Sequence, residues 1–339
     1  MKTLVIVVAL LSLLAACSEK LPLSRSQKNA ISKEAADYLE KRKAKRYPNF
    51  INISAAQIEK AAEDFEKSES LAEDEIIRKY NLSIEKTSIG GISVFIITPP
   101  VIAPQYEKYI GFNIHGGGFI MGTGRDRTAL LMAGELGLKI YSVDYTVAPK
   151  ASFPVPINES LEVYKDVEKE FGGQHIIAFS SSAGGQIMLE MLLKAKAENA
   201  TLPTAQILFC PNTDLDFGGD SGDFNDGRDY LAKGTSTKVV KKFYLKEYNA
   251  QDPFVSPVFA NYSNDFPSSM IVSGSRDLMF SGAVRINWKF KEAGIHSELL
   301  VADGMWHGFH WAYEMPESIA TFKAVSSFLS QQLMITNKR

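Results

Sequence analysis

The 339-residue chain is poor in cysteine, with only Cys17 and Cys210, and it has just five histidines. Cys17 ends an apolar leader and Cys210 closes an apolar run far along the chain, so their settings argue against a disulfide. No histidines stand at ligand spacing with cysteines, which argues against a structural zinc site. An excess of charge is lacking too: 37 basic and 39 acidic residues leave a net charge of -2. The basic face that nucleic acid requires is therefore missing. One basic run, Lys41, Arg42, Lys43, Lys45 and Arg46, reads either as a solvated helix face or as a patch drawn to an anionic membrane surface. After the leader no apolar run approaches the roughly 20 residues that a membrane-spanning helix needs. Internal repeats and low-complexity segments are absent. The hydrophobic content of 45% is ordinary for a globular core in one large domain or two small ones.

The amino terminus reads as an address. Lys2 supplies a positive charge, and Leu4 to Ala16 is almost wholly apolar but too short to span comfortably. The run stops at Leu14-Ala15-Ala16-Cys17, which resembles the lipobox of bacterial lipoproteins. The resemblance implies a lipoprotein signal peptide over residues 1–17, with Cys17 acylated and made the mature first residue. Acyl chains alone would then hold the protein to a lipid bilayer in the bacterial cell envelope, facing the periplasm or the outer membrane. Ser18 follows, where an aspartate would imply inner-membrane retention. The alternative is an ordinary cleaved signal.

Residues 18–26 are polar and read as a tether. Helical patterns follow over Gln27 to Tyr47 and Ser54 to Tyr80, the second opened by a capping box at Ser54 and Gln57. Ile84 to Ile89 and Ile92 to Thr98 flank Gly90-Gly91 as a hairpin. Short apolar strands then alternate with helices. The strands are Tyr109–Ile114, Lys139–Asp144, His175–Phe179, Ala205–Cys210, Met270–Gly274 and His296–Ala302. The helices are Thr128–Leu138, Asn158–Phe171, Ala183–Ala200, Ala283–Ala293 and Glu317–Leu333. This alternation predicts an α/β protein with a mostly parallel central sheet flanked by helices, its ligand site at the carboxyl ends of the strands. One Gly- and Asp-rich insertion, Asp214 to Asn249, lies between two core strands.

Four segments at predicted strand ends carry chemistry. Ser180-Ser181-Ser182-Ala183-Gly184-Gly185 joins a strand to a helix, the setting of a nucleophile elbow. So tight a turn needs small residues two before and two after the nucleophile. Ser180 and Gly184 satisfy this for Ser182, whereas Phe179 is too large to serve Ser181. The alternative is a serine helix cap. His115-Gly116-Gly117-Gly118 lets backbone amides turn towards a pocket, so Gly116 and Gly117, with Ala183, are candidate oxyanion donors. A flexible glycine turn is the alternative. A phosphate loop is disfavoured, because no Gly-Lys-Ser/Thr follows. His115 reads as fixing its loop rather than as a base. Asp277, in Gly274-Ser275-Arg276-Asp277, is the candidate orienting acid, with Asp303 its competitor. His307, in Gly304-Met305-Trp306-His307-Gly308-Phe309, is the candidate base. His310 is its rival and reads as supporting the last helix, while His296 reads as solvated. The order Ser182, Asp277, His307 is the one this kind of elbow uses.

Together His-Gly-Gly-Gly, Asp144-Tyr145-Thr146-Val147-Ala148-Pro149, the Ser182 elbow, Asp252-Pro253-Phe254-Val255-Ser256-Pro257 and His307-Gly308-Phe309 resemble the hormone-sensitive-lipase branch of the α/β-hydrolases from about Ile92 onward. The resemblance implies an α/β-hydrolase domain over residues 81–339. It also implies a helical cap built from residues 27–80 and the insertion at about 214–249. The implied activity is cofactor-free hydrolysis of a small-molecule ester of short to medium acyl chain through an acyl-enzyme, with no metal. Amide or lactone hydrolysis by the same residues is a second reading, and a catalytically silent lipoprotein binding module a third. The sequence leaves the oligomeric state open. Phe243, Tyr244 and Tyr248 read either as an acyl-pocket lining or as cap core. Ser181, Thr146, Lys150 and Ser281 depart from the family pattern, and the departures at Thr146 and Lys150 imply the loss of an internal ion-pair network.

Overall fold

The computed structural model describes residues 17–20, 23–46 and 53–336. The leader expected before Cys17 lies outside the described residues. In chain order the elements are β1 (Cys17–Lys20), α1 (Arg25–Ala30), α2 (Lys33–Lys41), β2 (Lys43–Arg46), α3 (Ala55–Tyr80), β3 (Ser83–Ile89) and β4 (Ile92–Thr98). There follow β5 (Ile110–Ile114), α4 (Arg127–Leu136), β6 (Ile140–Val143), α5 (Val155–Phe171), β7 (Ile176–Ser181), α6 (Ala183–Ala197) and β8 (Ala205–Phe209). The chain ends with α7 (Asp220–Phe224), α8 (Lys233–Val239), β9 (Ser268–Gly274), α9 (Phe280–Glu292), β10 (Ser297–Ala302) and α10 (Pro316–Thr336).

Eight strands form one sheet in the order β10-β9-β8-β7-β5-β6-β4-β3. The five apolar strands β5 to β9 pair in parallel, as does β10 with β9, while β4 runs antiparallel to both β3 and β6. Period-two alternation sends side chains to opposite faces. Phe112, Ile114, Ala178, Leu208 and Ile271 pack in one apolar layer with Leu161, Ile187 and Phe290 of α5, α6 and α9. Ile177, Phe179, Ile207, Phe209 and Val272 pack in the other with Leu130 of α4 and Phe322 of α10. Each large apolar side chain so buried stabilises the fold by about 1.5–3 kcal/mol.

The connections place the site. The chain leaves β5 for its neighbour β6, then returns past β5 to β7 on the other side. A reversal of this kind opens a crevice at the carboxyl ends of the strands beside it. The loop after β5 and the turn after β7 therefore face each other, and both carry candidate residues.

The amino-terminal region differs from the reading of its pattern. The helix expected over Gln27 to Tyr47 is two helices, broken at Ile31-Ser32, and Tyr47 lies outside the described residues. Ser32 restarts the helix: its hydroxyl accepts from Ala35 N while its own N–H and hydroxyl donate to Glu317 at 2.8 Å each. Within the expected tether at 18–26, Ser18 to Lys20 lie in β1 and Arg25 and Ser26 begin α1, while Lys43, Lys45 and Arg46 of the basic run lie in β2, antiparallel to β1. By contrast α3 starts at the expected capping box, since Ser54 Oγ accepts from Gln57 N and the Gln57 side chain accepts from Ser54 N. Asn81 ends it in a left-handed turn at φ 50°.

Candidate active site

Ser182 is the residue between β7 and α6, at φ 53° and ψ -123°. A non-glycine residue in that region costs on the order of 1–3 kcal/mol and persists only when its surroundings hold it. Here Ser182 N donates to Phe209 O at 3.0 Å, and Ser182 O accepts from Asn212 N at 2.9 Å and Gly185 N at 3.0 Å. The size argument for the turn is visible in the packing. A Cβ on Gly184 would sit 2.2 Å from Ile114 O and 2.4 Å from His115 O.

The glycine loop abuts this turn. A Cβ on Gly116 would lie 3.0 Å from Ser181 O and 3.1 Å from Ser182 Cβ, and one on Gly117, at φ 106°, would lie 1.9 Å from Met121 O. Gly117 and Ala183 line the same cavity as Ser182. Ala183 is the first residue of α6, where a helical amide has no partner within the helix. His115 is buried, donates from Nδ1 to Gly116 O at 2.7 Å, and stacks on Tyr145 at 4.0 Å, whose hydroxyl donates to His115 O. It braces the loop, as expected. Burial lowers its proton affinity to about 4, so it stays neutral.

The three candidate side chains meet. His307 Nε2 lies 2.9 Å from Ser182 Oγ, and His307 Nδ1 lies 2.9 Å from Asp277 Oδ1. All three are buried, Ser182 to 6% exposure. Asp277 also accepts from Ser273 Oγ and Met279 N, both at 2.9 Å. Burial opposes its charge, but His307 and these donors hold its carboxyl below the ordinary carboxylate value. Burial likewise opposes charge on His307, and Asp277 overrides it, raising the imidazole above its ordinary 6.5. That is the electrostatic arrangement of a base oriented by a carboxylate.

The rivals lie elsewhere. Asp303 accepts from Ser275 Oγ. His310 pairs with Thr128 and stacks on Phe209. His296 is half-exposed and stacks on Phe328. Cys210, Asp277 and His307 bring donor atoms within 4.8 Å of one another, the one such cluster among the described residues. It suits a metal poorly. Both imidazole nitrogens are engaged, and burial pushes the Cys210 thiol well up, away from the thiolate that binds metals.

A cavity of about 320 Å³ opens over Ser182 and His307. Its walls include Phe65 of α3, Phe119 and Met121 after the glycine loop, and Tyr230, Val239 and Val240 of the insertion. Phe243 and Tyr244 are not in the wall. They pack inward, Tyr244 stacked on Phe119 at 4.0 Å, and Tyr248 packs on Phe153. A second hollow of about 270 Å³ shares Phe65, Gly117 and Trp311 with the first. There Glu69 and Glu73 of α3 face Arg125 and Arg127, with Arg127 Nε 2.7 Å from Glu69. Among the departures, Thr146 donates from N and Oγ1 to Glu159 at 2.6 and 2.9 Å, hydrogen bonds where the family pattern implied an ion pair.

Two groups near the site carry no sequence signal. Trp306, next to His307, stacks on Tyr38 of α2 at 4.2 Å. Asp229, in the insertion, accepts from His307 N and Leu278 N. Its partners are backbone amides, which every residue type offers, so no motif marks it.

Comparison with known proteins agrees with this architecture. Residues 112–311 match the family model described as alpha/beta hydrolase fold. An esterase of Acinetobacter venetianus is 27% identical over 217 residues, 62% of this chain and 71% of that protein. Human hormone-sensitive lipase is 33% identical over 135 residues, 38% of this chain and 12% of the lipase. The crystal structure of an esterase, E25, superposes with a TM-score of 0.82 at 25% identity, covering 91% of this chain and 97% of that one. With more than half its length matched, the chain belongs to the α/β-hydrolase family, in the branch that holds the hormone-sensitive-lipase-like esterases.

Proposed function

We propose that this protein hydrolyses carboxylic esters of short to medium acyl chain through an acyl-enzyme on Ser182. The observation that carries the reading is the unbroken relay of 2.9 Å contacts from Ser182 Oγ through His307 to Asp277. Ser182 Oγ attacks the carbonyl carbon while His307 Nε2 takes its proton. Asp277 holds the Nδ1 proton, keeping the imidazole in the required tautomer and facing the charge it gains. Gly116, Gly117 and Ala183 amides receive the oxyanion, a contribution of ~10²–10³ in turnover per donor. The imidazolium then protonates the leaving alkoxide, and water repeats the sequence to release the acid.

The acyl length rests on the size of the apolar cavity over Ser182, and relatives named ethyl acetate hydrolase and putative acetyl-hydrolase accord with it. In this reading α3 and the insertion act as the cap, since both contribute to the cavity wall. Acylated Cys17 ties the enzyme to a membrane of the cell envelope, as the Leu14-Ala15-Ala16-Cys17 motif implies. The test is hydrolysis of nitrophenyl acetate, butyrate and decanoate by wild type and S182A. Wild type should favour the two shorter esters, and S182A should lose at least ~10³-fold in kcat. Equal rates for wild type and S182A would end the reading.

A further inference from the structure

One buried carboxylate at the site has no part in that mechanism. Asp229 lies between α7 and α8, in the insertion, and is fully buried. Its Oδ1 accepts from Tyr230 N at 2.7 Å and from His307 N at 3.4 Å, and its Oδ2 accepts from Leu278 N at 2.8 Å. His307 is the proposed base, and Leu278 directly follows the acid that orients it. A single acceptor group thus joins three chain segments where their side chains converge. Nearby contacts fasten the same turn. Asn225 Nδ2 donates to Ser275 O at 3.1 Å and Asp277 O at 2.8 Å, and the Arg276 guanidinium donates to Arg228 O.

We propose that Asp229 is a positioning residue of the hydrolase: it holds the His307 and Asp277 loops in register and sets a second negative charge against the imidazolium formed during acyl transfer. The proposal rests on the serine-hydrolase reading of the Ser182 site. A carboxylate suits the position because all three partners are donors. An asparagine would turn its NH₂ towards at least one of them and would carry no charge.

The charged and titratable groups facing Asp229 come from four elements. Asp277 and Arg276 lie in the turn after β9, His307 in the loop after β10, Cys210 at the end of β8, and Tyr230 next along its own turn. Arg228, on the same turn, and Arg127 act one step further out, on Arg276 and Tyr230. Burial, then the like charge of Asp277, pushes the Asp229 carboxyl up to about 7, against the pull of His307. Asp229 and His307 each bear on the other's proton affinity, so their titrations are linked.

The test compares wild type, D229N and S182A on nitrophenyl butyrate across pH. In D229N the expected result is a fall of about tenfold in kcat with KM within about twofold, short of the ~10²-fold that a 1 Å misplacement can cost. The acid limb of kcat/KM should also move to lower pH by about half a unit or more, since the imidazolium loses a counter-charge. Wild-type kcat and acid limb in D229N, with only the melting temperature lowered, would make Asp229 a structural staple and overturn the proposal. If D229N does not fold, the far-downfield proton on His307 Nδ1 is followed in wild type by NMR. Two linked titration steps support the proposal, and a single step overturns it. Loss of activity in S182A with D229N unchanged removes this proposal alone, whereas unimpaired S182A removes the hydrolase reading beneath it.

Discussion

At the scale of single residues, the site depends on a proton affinity that Asp277 sets. In the proposed mechanism His307 must be neutral to accept the Ser182 proton, and Asp277 raises its pKa above the ordinary 6.5. The sign follows directly. Activity is present above that raised value and is lost as pH falls through it, so the acid limb of kcat/KM should have its midpoint above 6.5. A pH–rate profile checks this, and a midpoint below the ordinary imidazole value would show that Asp277 does not support the imidazole as described. The residues legible from sequence share one property: local sterics or chain order singles them out. Ser182 is separable from Ser181 because a turn of this kind tolerates Ser180 where it would not tolerate Phe179. Gly184 shows the same constraint from the other side, with no room for a Cβ beneath Ile114 O. Asp229 is not legible, because it works through amides of Leu278 and His307 distant in sequence. Tyr244 has two open readings in sequence, and the choice falls to packing against Phe119, which the pattern of one helix does not contain.

At the scale of elements, α3 joins the body through charged groups as well as apolar ones. Glu73 sits on its inner face, mostly buried, with Arg125 Nε 3.6 Å away. Burial, partly offset by Arg125, pushes the Glu73 carboxyl from 4.5 to about 7. A carboxyl raised in this way favours the fold while protonated, and that contribution fades as pH rises from about 4.5 to about 7. The neutral amide in E73Q does not titrate, so this variant should gain in melting temperature relative to wild type between about pH 5 and pH 7.5. Thermal denaturation at the two pH values checks it, and an unchanged difference would show that Arg125 fully compensates the charge. The long amphipathic pattern of α3, with its capping box, needs no tertiary information. The break between α1 and α2 does, because the group that stabilises it is Glu317, 285 positions away. Apolar periodicity runs on through Ile31 and hides the break. The pairing of β1 with β2 is hidden for the same reason, since two short polar segments become strands only when they meet.

At the scale of the whole molecule, strand order does the assembling. Ser182 and His307 are 125 positions apart, yet β7, β8, β9 and β10 lie side by side and deliver the elbow, Asp277 and His307 to one rim. The glycine loop arrives at the same rim because β5 lies next to β7. The parallel core is legible because nearly continuous apolar strands alternate with helices. The amino-terminal segment belongs to this assembly too. Ile31 packs against Gly304 and Tyr38 stacks on Trp306, so the chain that leads from the proposed anchor braces the loop that carries His307. No described helix is long and apolar enough to cross a membrane. The proposed attachment through acylated Cys17 rests on the Leu14-Ala15-Ala16-Cys17 motif. In a bacterial host, wild type should incorporate labelled palmitate and sediment with membranes, while C17S should do neither. Equal membrane recovery of C17S would refute attachment through that thiol.

The most direct measurement is reaction with a fluorophosphonate, followed by peptide mass mapping. Covalent phosphonylation of the Ser182 hydroxyl, strongly reduced in H307A, is the result expected of a nucleophile activated by that imidazole. Modification at another residue, or intact protein after prolonged exposure, would contradict it.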